Sequence, residues 1–155
     1  NGKPAKLRHV VVHAIVEKEG KLLLIRRSET LSLEGGKWAL PGGFVDRDET
    51  AGEAVLRELR EESGWEGEVV ALFRINTNPN RPHEDRQNIA FDFLIKPTRK
   101  VGEKDHETTH VEWVFIPSLP PLESFAFDHG VSIGYYLRYR IKKFPLPILD
   151  YHEVR

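Results

Sequence analysis

The fold of this chain is decided by residues 43–65, which read GFVDRDETAGEAVLRELREESGW. The stretch holds seven carboxylates, three arginines and three glycines. From position 49 to position 63 it contains no proline and is rich in Ala, Leu, Glu and Arg, which are good helix formers. Residues 49–63 are therefore predicted to form a helix, with Asp48 as its N-cap and Glu49 at the positive end of the helix dipole.

Three acidic side chains of that helix point in one direction, because Glu58, Glu61 and Glu62 stand at i, i+3 and i+4. Beside them runs an apolar stripe of Val55, Leu56 and Leu59. At a rise of roughly 1.5 Å per residue the backbones of Glu58 and Glu62 are only about 6 Å apart, so their carboxylates repel unless a cation lies between them. Hard divalent cations prefer such oxygen clusters. The alternative is a solvated acidic face held by neighbouring arginines, the usual meaning of a charged run.

The complete spacing favours the metal-binding interpretation. Gly43 is followed after five residues by Glu49, and after seven more by the run Arg57-Glu58-Leu59-x-Glu61-Glu62-x-Gly64. Leaving aside the apolar Leu59, seven fixed residue types, each at roughly 5 to 10% frequency, would coincide by chance on the order of once in 10⁸ windows. The spacing resembles the signature box of the Nudix hydrolase family. It departs only at the last position, where the family usually has an aliphatic residue and this chain has Trp65, which is apolar and still able to pack.

The resemblance implies an α/β fold, a Nudix-type α/β/α sandwich with a mixed β-sheet. A single domain would cover residues 1–155, with 1–7 and 146–155 as tails. The remaining sequence agrees, since residues 8–16 and 21–27 are predicted to form a hairpin, and 66–76, 88–97 and 111–116 further strands. Residues 125–143 are predicted to form a second helix, capped by Asp128, with an apolar stripe of Ile133, Leu137 and Ile141.

The resemblance also implies the ligands of a Mg²⁺ or Mn²⁺ cofactor. Glu58 and Glu62 would be the strongest metal ligands, completed by Glu61 and the carbonyl of Gly43. Arg57 and Glu49, about two helical turns apart, form a pair that in the family fixes the ligand helix.

The catalytic set implied by the family is Arg57, Glu58, Glu61 and Glu107. Attack is by water, which needs a metal or a base to activate it. Glu58 is one candidate base. Glu107 is another, because mutator-type members carry a distal acid in a loop before a tryptophan-bearing strand, and Trp113 follows here. Glu103 and Glu112 are rivals, and all three acids could equally be surface residues.

Cationic residues outside the box are the candidates for substrate binding. Arg26 and Arg27 end the second strand on opposite sides, so one of them could face a phosphate-bearing cleft; we assign Arg27. Residues 77–87 form a long loop that contains Arg81, His83, Glu84, Asp85 and Arg86. The loop could bind substrate through Arg81 and Arg86, form a dimer contact, or be solvated. His9 and His13 share a face of the first strand, where packing is their commoner role.

Composition excludes several classes of protein. The 155 residues carry a formal net charge of −1 with a sequence pI near 6.7, so no basic field indicates a nucleic-acid partner. No apolar run approaches the roughly 20 residues that span a bilayer, so no membrane is expected and a cytoplasmic location is the default. There is no cysteine for a disulfide framework. Methionine is absent even at position 1, so the sequence is compatible with an additional upstream domain.

The resemblance implies hydrolysis of a nucleoside diphosphate linked to another group. ADP-ribose or a related ADP-sugar is our first choice, because residues 125–129, FAFDH, resemble a segment of members linked to ADP-ribose and NAD metabolism. A mutator-type nucleoside triphosphate pyrophosphohydrolase is the second. A non-catalytic nucleotide sensor is the third, and the intact acid set argues against it. Relatives that cleave ADP-ribose commonly form homodimers, which the sequence does not decide here.

Overall fold

The computed structural model describes residues 2, 4–83, 86–106 and 108–150. Within these ranges the chain forms eight strands and two α-helices: β1 Val10–Lys18, β2 Lys21–Arg27, β3 Trp38–Ala39, β4 Gly42–Phe44, α1 Ala51–Ser63, β5 Trp65–Asn76, β6 Ile89–Lys100, β7 Thr108–Phe115, α2 His129–Ile141 and β8 Ile148–Asp150. Short 3₁₀ turns, Ile116–Ser118 and Leu122–Ser124, lead from β7 into α2. No helix in the described ranges is long and apolar enough to cross a membrane.

The strands form one mixed sheet in the order β3-β2-β1-β6-β5-β8, with β4 paired to β1 and β7 paired to β2. β1 and β2 form the predicted antiparallel hairpin. At its other side β1 pairs in parallel with β6, from Val10 opposite Ile89 to Val16 opposite Ile95. This parallel pair brings together two segments that lie about eighty residues apart. The site described below is built around the centre of the sheet.

The two helices cover opposite faces of the sheet. Alternate residues of β1, Val12, Ala14 and Val16, pack in one buried cluster with Ala54, Val55 and Leu59 of α1. Ile15 points the other way and packs with Ile133 and Tyr135 of α2. Because side chains of a strand alternate between faces, this division places one helix on each side. The predicted α/β/α sandwich with a mixed sheet is confirmed.

The first helix begins two residues later than predicted, and its N-cap is Thr50 instead of Asp48. Thr50 Oγ1 accepts a hydrogen bond from the Glu53 amide at 3.1 Å. Asp48 lies in a left-handed turn with φ +65°. Glu49 therefore precedes the helix, and its carboxylate accepts from the Asp46 amide. The helix ends at Gly64, whose φ of +77° suits a C-terminal glycine.

Three details at the C-terminal end also differ from the prediction. Asp128 occupies the N-cap position of α2 but makes no capping hydrogen bond, because its carboxylate is paired with Arg81. Ile141 is 87% exposed and does not join the buried stripe that contains Ile133. Part of the expected tail is structured, since Ile148–Asp150 pairs in parallel with β5 at the edge of the sheet. These three residues gain their order from pairing with the backbone of β5, which the local sequence pattern does not predict.

Candidate active site

Glu62 is the most deeply placed acid of α1. It lies seven positions after Val55 and three after Leu59, so it continues the buried stripe of the helix and is only 9% exposed. Its Oε1 atom accepts a hydrogen bond from the Gly42 amide at 2.7 Å. Burial raises the pKa of Glu62 well above its usual value, and the nearby charges of Glu58 and Asp105 add to this increase. A cation bound next to Glu62 would therefore lower the free-energy cost of ionising this buried carboxyl group.

Glu58 lies on the next face of the helix, with 16% of its side chain exposed. Burial raises the pKa of Glu58 to about 7, with contributions from Glu61 and Asp105 that the neighbouring Arg57 only partly offsets. A carboxyl group with this pKa exchanges its proton near neutral pH, which suits a general base. The raised pKa also means that Glu58 and Glu61 are ionised together only at a cost in free energy.

Arg57 connects the acids to the loop that precedes them. Its guanidinium donates to both carboxylate oxygens of Glu49, at 2.7 and 3.0 Å, to Glu58 at 3.0 Å and to Glu61 at 3.2 Å. A further bond reaches the carbonyl of Phe44 at 3.1 Å. The hydrogen bonds from Arg57 lower the pKa of Glu49 to about 2. Arg57 therefore fixes the start of α1 against β4, as the sequence pairing implied.

Two glycines bring the backbone of β4 against this cluster. A Cβ atom on Gly43 would lie 2.5 Å from Glu58 Oε1, so only glycine leaves that carboxylate in place. A Cβ atom on Gly42 would lie 2.0 Å from the carbonyl oxygen of Val12 in β1. Neither glycine has a positive φ. Their role is close approach of the backbone and not an unusual turn.

The donors at this site have the chemistry that Mg²⁺ or Mn²⁺ requires. The candidates are the carboxylates of Glu58, Glu61 and Glu62 and the carbonyl of Gly43, all hard oxygen ligands. The depth of Glu62 and the close approach of the Gly43 backbone to the Glu58 carboxylate fit such an ion. As they lie, no three acidic or histidine side chains of the described residues are close enough to hold a metal. Glu61 is turned to Arg57 and is half-exposed.

The sequence analysis missed one acid of the β6–β7 connection. Asp105, half-buried, contributes to the raised pKa of both Glu58 and Glu62, so its charge faces the acid face of α1. The rival Glu103 is exposed beside Lys100, and Glu112 is exposed beside His110. Glu107 lies outside the described residues. The only sequence signal for Asp105 was its place in a charged connection.

A cavity of about 270 Å³ opens beside the acids. Glu62, Gly42 and Gly43 line one part of it, and the three arginines assigned to substrate binding, Arg27, Arg81 and Arg86, line it as well. Its volume is close to the lower end of the roughly 300 to 1,000 Å³ found for small-molecule sites. The cavity thus brings the carboxyl group of Glu62 and three guanidinium groups to one space.

The three arginines differ in what they contact. Arg27 donates to the carbonyl of Leu33 at 2.9 Å and lies over the ring of Phe127. Arg86 lies over the ring of Phe44, 5.4 Å from its centroid. Arg81 is buried and donates to both carboxylate oxygens of Asp128, at 2.8 and 2.9 Å. Arg81 therefore anchors the start of α2 while it lines the cavity.

The FAFDH segment forms a wall of the cavity. Phe125 and Ala126 are buried in the core, and Phe127 takes a positive φ of 50° and lines the cavity. His129 Nδ1 accepts a hydrogen bond from the Leu40 amide at 3.1 Å, which leaves the ring proton on Nε2. Burial lowers the pKa of His129 well below its usual value, so this ring is neutral.

The two histidines of the N-terminal segment are placed differently. His9 precedes β1 and packs edge to face on Phe44, with ring centroids 5.7 Å apart. His13 lies within β1, is buried, and lines the cavity. Its ring centroid is 4.3 Å from that of His129. Only His13 therefore belongs to the candidate site.

An α/β/α sandwich whose first helix carries a carboxylate cluster beside a cavity lined by arginines is an arrangement suited to an anionic substrate. A family model described as NUDIX domain matches residues 6–133. The chain belongs to this family and is a Nudix hydrolase. The box that the sequence indicated, residues 43–65, lies within the matched region and contributes β4 and α1.

Individual relatives agree with this assignment. The chain is 38% identical to an ADP-ribose pyrophosphatase of Methanocaldococcus jannaschii over 84% of its own length and 74% of the relative. It is 48% identical to a CTP pyrophosphohydrolase of Escherichia coli, but over only 39% of this chain and 47% of that one. The crystal structure of a NUDIX hydrolase from Nitrosomonas europaea superposes with a TM-score of 0.82, at 24% identity, over 94% of this chain and 79% of that one.

Proposed function

We propose that this chain hydrolyses the pyrophosphate bond of ADP-ribose or a related ADP-sugar, giving AMP and a sugar phosphate, with Mg²⁺ or Mn²⁺ as cofactor. The observation that carries the proposal is the shared cavity. Buried Glu62 lines it together with Arg27, Arg86 and the aromatic ring of Phe127. An aromatic face and guanidinium groups suit a nucleotide. A relative that is 38% identical over 84% of this chain is named for ADP-ribose.

The cofactor would be held by Glu58, Glu61, Glu62 and the Gly43 carbonyl. When bound, a divalent ion offsets the charge of the diphosphate and lowers the pKa of water at the site. Glu58 is one candidate base; its pKa of about 7 in the absence of a metal would fall when the ion binds beside it. Arg57 keeps Glu58 and Glu61 aligned through its bonds to both. Asp105 and Glu107 remain candidates for an acid from the β6–β7 connection.

Two arginines are suited to hold the substrate. Arg27 and Arg86 carry their guanidinium groups against aromatic rings at the cavity. A guanidinium there is able to stack on a nucleobase or to pair with a phosphate group. Arg81 acts differently. Its bidentate pair with Asp128 lowers the pKa of that carboxyl and keeps the FAFDH wall in place. Arg81 is therefore a positioning residue for the cavity.

A mutator-type nucleoside triphosphate pyrophosphohydrolase is the second candidate function. The observation in its favour is the high identity to the CTP pyrophosphohydrolase over the segment that aligns. A nucleotide sensor without activity is disfavoured, because Arg57 joins Glu49, Glu58 and Glu61 in a single hydrogen-bonded network.

A phosphatase-coupled screen tests the proposal. The substrates are ADP-ribose, ADP-glucose, NADH, diadenosine polyphosphates and the nucleoside triphosphates, including oxidised dGTP, with Mg²⁺, Mn²⁺ or EDTA. We expect metal-dependent cleavage of ADP-ribose well above the triphosphates. A preference for triphosphates would support the second candidate, and tight binding of a nucleotide without cleavage would support the sensor.

Matched variants show whether the cleavage belongs to this site. Glu62→Gln should lower turnover by roughly 10²-fold or more, because it removes a charged ligand. Glu112→Gln is the control, since Glu112 is a half-exposed acid of β7 outside the cavity. Glu107→Gln and Asp105→Asn are compared at saturating Mg²⁺. A large fall in turnover for one of them identifies the distal acid. Unchanged turnover in both variants would show that neither acid is catalytic.

A further inference from the structure

A chain of four buried polar side chains ends in the wall of the cavity. Arg74 Nη1 donates to Ser132 Oγ at 2.7 Å, and Ser132 donates to Asp92 Oδ2 at 2.6 Å. The other oxygen of Asp92 lies 2.9 Å from Nδ1 of His13. All four residues are at most 8% exposed. They belong to β5, α2, β6 and β1, so the network links the sheet to the second helix.

Stability alone is a weak reason for such a network. Burial of ionised groups costs about as much free energy as their pairing returns, and apolar side chains of similar volume often stabilise a core equally well. Apolar contacts already hold these elements together, since Ile15 of β1 and Ile133 of α2 lie in one cluster. The position of the network at the cavity indicates a second role, which involves its last member, His13.

Asp92 fixes the orientation of the His13 ring. Burial alone would raise the pKa of Asp92, but the His13 hydrogen bond, Arg74 and Ser132 bring it below its usual value. The carboxylate is therefore ionised. One of its oxygens accepts a hydrogen bond from Ser132 Oγ, and the other accepts a hydrogen bond from Nδ1–H of His13. A carboxylate that holds one imidazole nitrogen sets which nitrogen acts on other groups. For His13, this is Nε2.

Nε2 lies on the edge of the ring next to the acid site. It makes no hydrogen bond to a described residue and is not among the sealed, unpartnered atoms of the described core. The adjacent Cδ2 atom is 2.8 Å from where a Cβ on Gly42 would lie, and His13 is paired with Gly42 across β1 and β4. Gly42 in turn donates to Glu62. His13 and Gly42 both line the cavity.

We propose that His13 is a substrate-binding residue whose ring, protonated on both nitrogens when the nucleotide is bound, donates from Nδ1 to Asp92 and from Nε2 to a phosphate oxygen, and that Asp92 is the residue that positions the ring. The class of ligand rests on the proposed function. A phosphate oxygen is the expected acceptor because Nε2 is next to the glycines and acid that adjoin the metal candidates, where the diphosphate must lie. An imidazolium whose Nδ1–H is held by a carboxylate donates a charge-assisted hydrogen bond from Nε2 to an anion. The neighbouring ring of His129 is already occupied by the Leu40 amide and is neutral.

Two substitutions of His13 separate this role from a structural one. The amide nitrogen of an asparagine lies near the position of Nδ1, so His13→Asn keeps a donor to Asp92 and loses the donor at Nε2. The amide nitrogen of a glutamine lies near the position of Nε2, so His13→Gln keeps the substrate donor and loses the bond to Asp92. A substrate-binding role predicts that the asparagine variant is impaired and that the glutamine variant recovers. A purely structural role predicts the reverse.

The kinetic readout is the separation of KM from kcat. For His13→Asn we expect KM for the preferred substrate to rise about tenfold, which is the loss of one hydrogen bond, with a smaller change in kcat and a melting temperature near that of the wild type. His13→Gln should recover most of the affinity despite a lower melting temperature. Equal losses of affinity in the two variants, or a loss in the glutamine variant alone, would overturn the proposal.

A binding measurement makes the test independent of hydrolysis. Calorimetry with inorganic pyrophosphate and Mg²⁺ should show about tenfold weaker binding to His13→Asn, while adenosine, which has no phosphate, binds as before. Asp92→Asn should also weaken pyrophosphate binding, but should add nothing in the double variant with His13→Asn. The proposal fails if wild-type protein does not bind pyrophosphate or if His13→Asn binds it normally. Absence of ADP-ribose cleavage with these results intact would refute the proposed substrate only.

Discussion

The most informative single substitution is Gly43→Ala, because it displaces one functional atom without straining the backbone. A methyl group at this position would lie 2.5 Å from Glu58 Oε1, 2.6 Å from Cδ and 2.9 Å from Oε2. Ordinary contact begins near 3.4 Å, so the carboxylate must move by about 0.9 Å. The φ of Gly43 is not positive, and alanine adopts it freely.

The magnitude follows from that displacement. A misplacement of about 1 Å in a catalytic group costs roughly 10²-fold in rate, or about 2.7 kcal/mol of transition-state stabilisation. Stability should change little, because the carboxylate is the end of a flexible side chain and its bond to partly exposed Arg57 contributes at most about 1 kcal/mol. We therefore expect a loss of activity of about 10²-fold with a melting temperature close to that of the wild type.

The assays are turnover of the preferred substrate, Mn²⁺ affinity by calorimetry and thermal unfolding in EDTA. Gly42→Ala is the matched control. Its methyl group would meet the Val12 carbonyl at 2.0 Å, and this backbone atom cannot move aside, so that variant should lose stability first. Wild-type turnover and Mn²⁺ affinity in Gly43→Ala would refute the role assigned to Glu58. A large loss of stability in Gly43→Ala would refute the reasoning from contact distances.

Three further outcomes are expected. Glu62→Gln should bind Mn²⁺ at least tenfold more weakly yet unfold at higher urea in EDTA at pH 8, because the buried charge is removed and the amide oxygen still accepts from Gly42; unchanged metal affinity would contradict this. In EDTA the free energy of unfolding should fall between pH 5 and 8, because Glu58, with a pKa raised to about 7, keeps in the folded state a proton that the unfolded chain loses near 4.5; Glu58→Gln should flatten this dependence, and a profile unchanged by the substitution would count against it. Arg57→Lys should lower turnover by 10- to 100-fold, since an ammonium cannot reproduce the fork that holds both oxygens of Glu49, and full activity would show that the pair is dispensable.

Local pattern was sufficient to predict the five longer strands and the acid helix, but not the short strands β3 and β4. The hairpin of β1 and β2, the strands β5, β6 and β7, and helix α1 were each read from apolar periodicity and helix-forming residues in one segment. The exact start of α1 was predicted incorrectly, because Thr50 and Asp48 are both good N-caps and the choice between them depends on the preceding turn. Strand β8 was missed because three residues gain order only from pairing with β5.

The candidate site divides in the same way. The box spacing identified Glu58, Glu61 and Glu62 as a cluster, since they lie within one helix turn. It could not show that Glu62 is buried and hydrogen-bonded to Gly42 while Glu61 is half-exposed. Those differences depend on which part of α1 contacts the sheet.

The sequence by itself determined the family, the fold class and the acids of one helix, because their signals are carried by residues that are close along the chain. The tertiary structure alone decided the long-range groupings. The parallel pairing of β1 with β6 joins His13 to Asp92 across 79 positions, and packing of α2 adds Ser132 and His129. Asp128, which the sequence predicted to cap α2, is instead paired with Arg81 for the same reason. Such contacts are set by burial and sheet register, which no local pattern encodes.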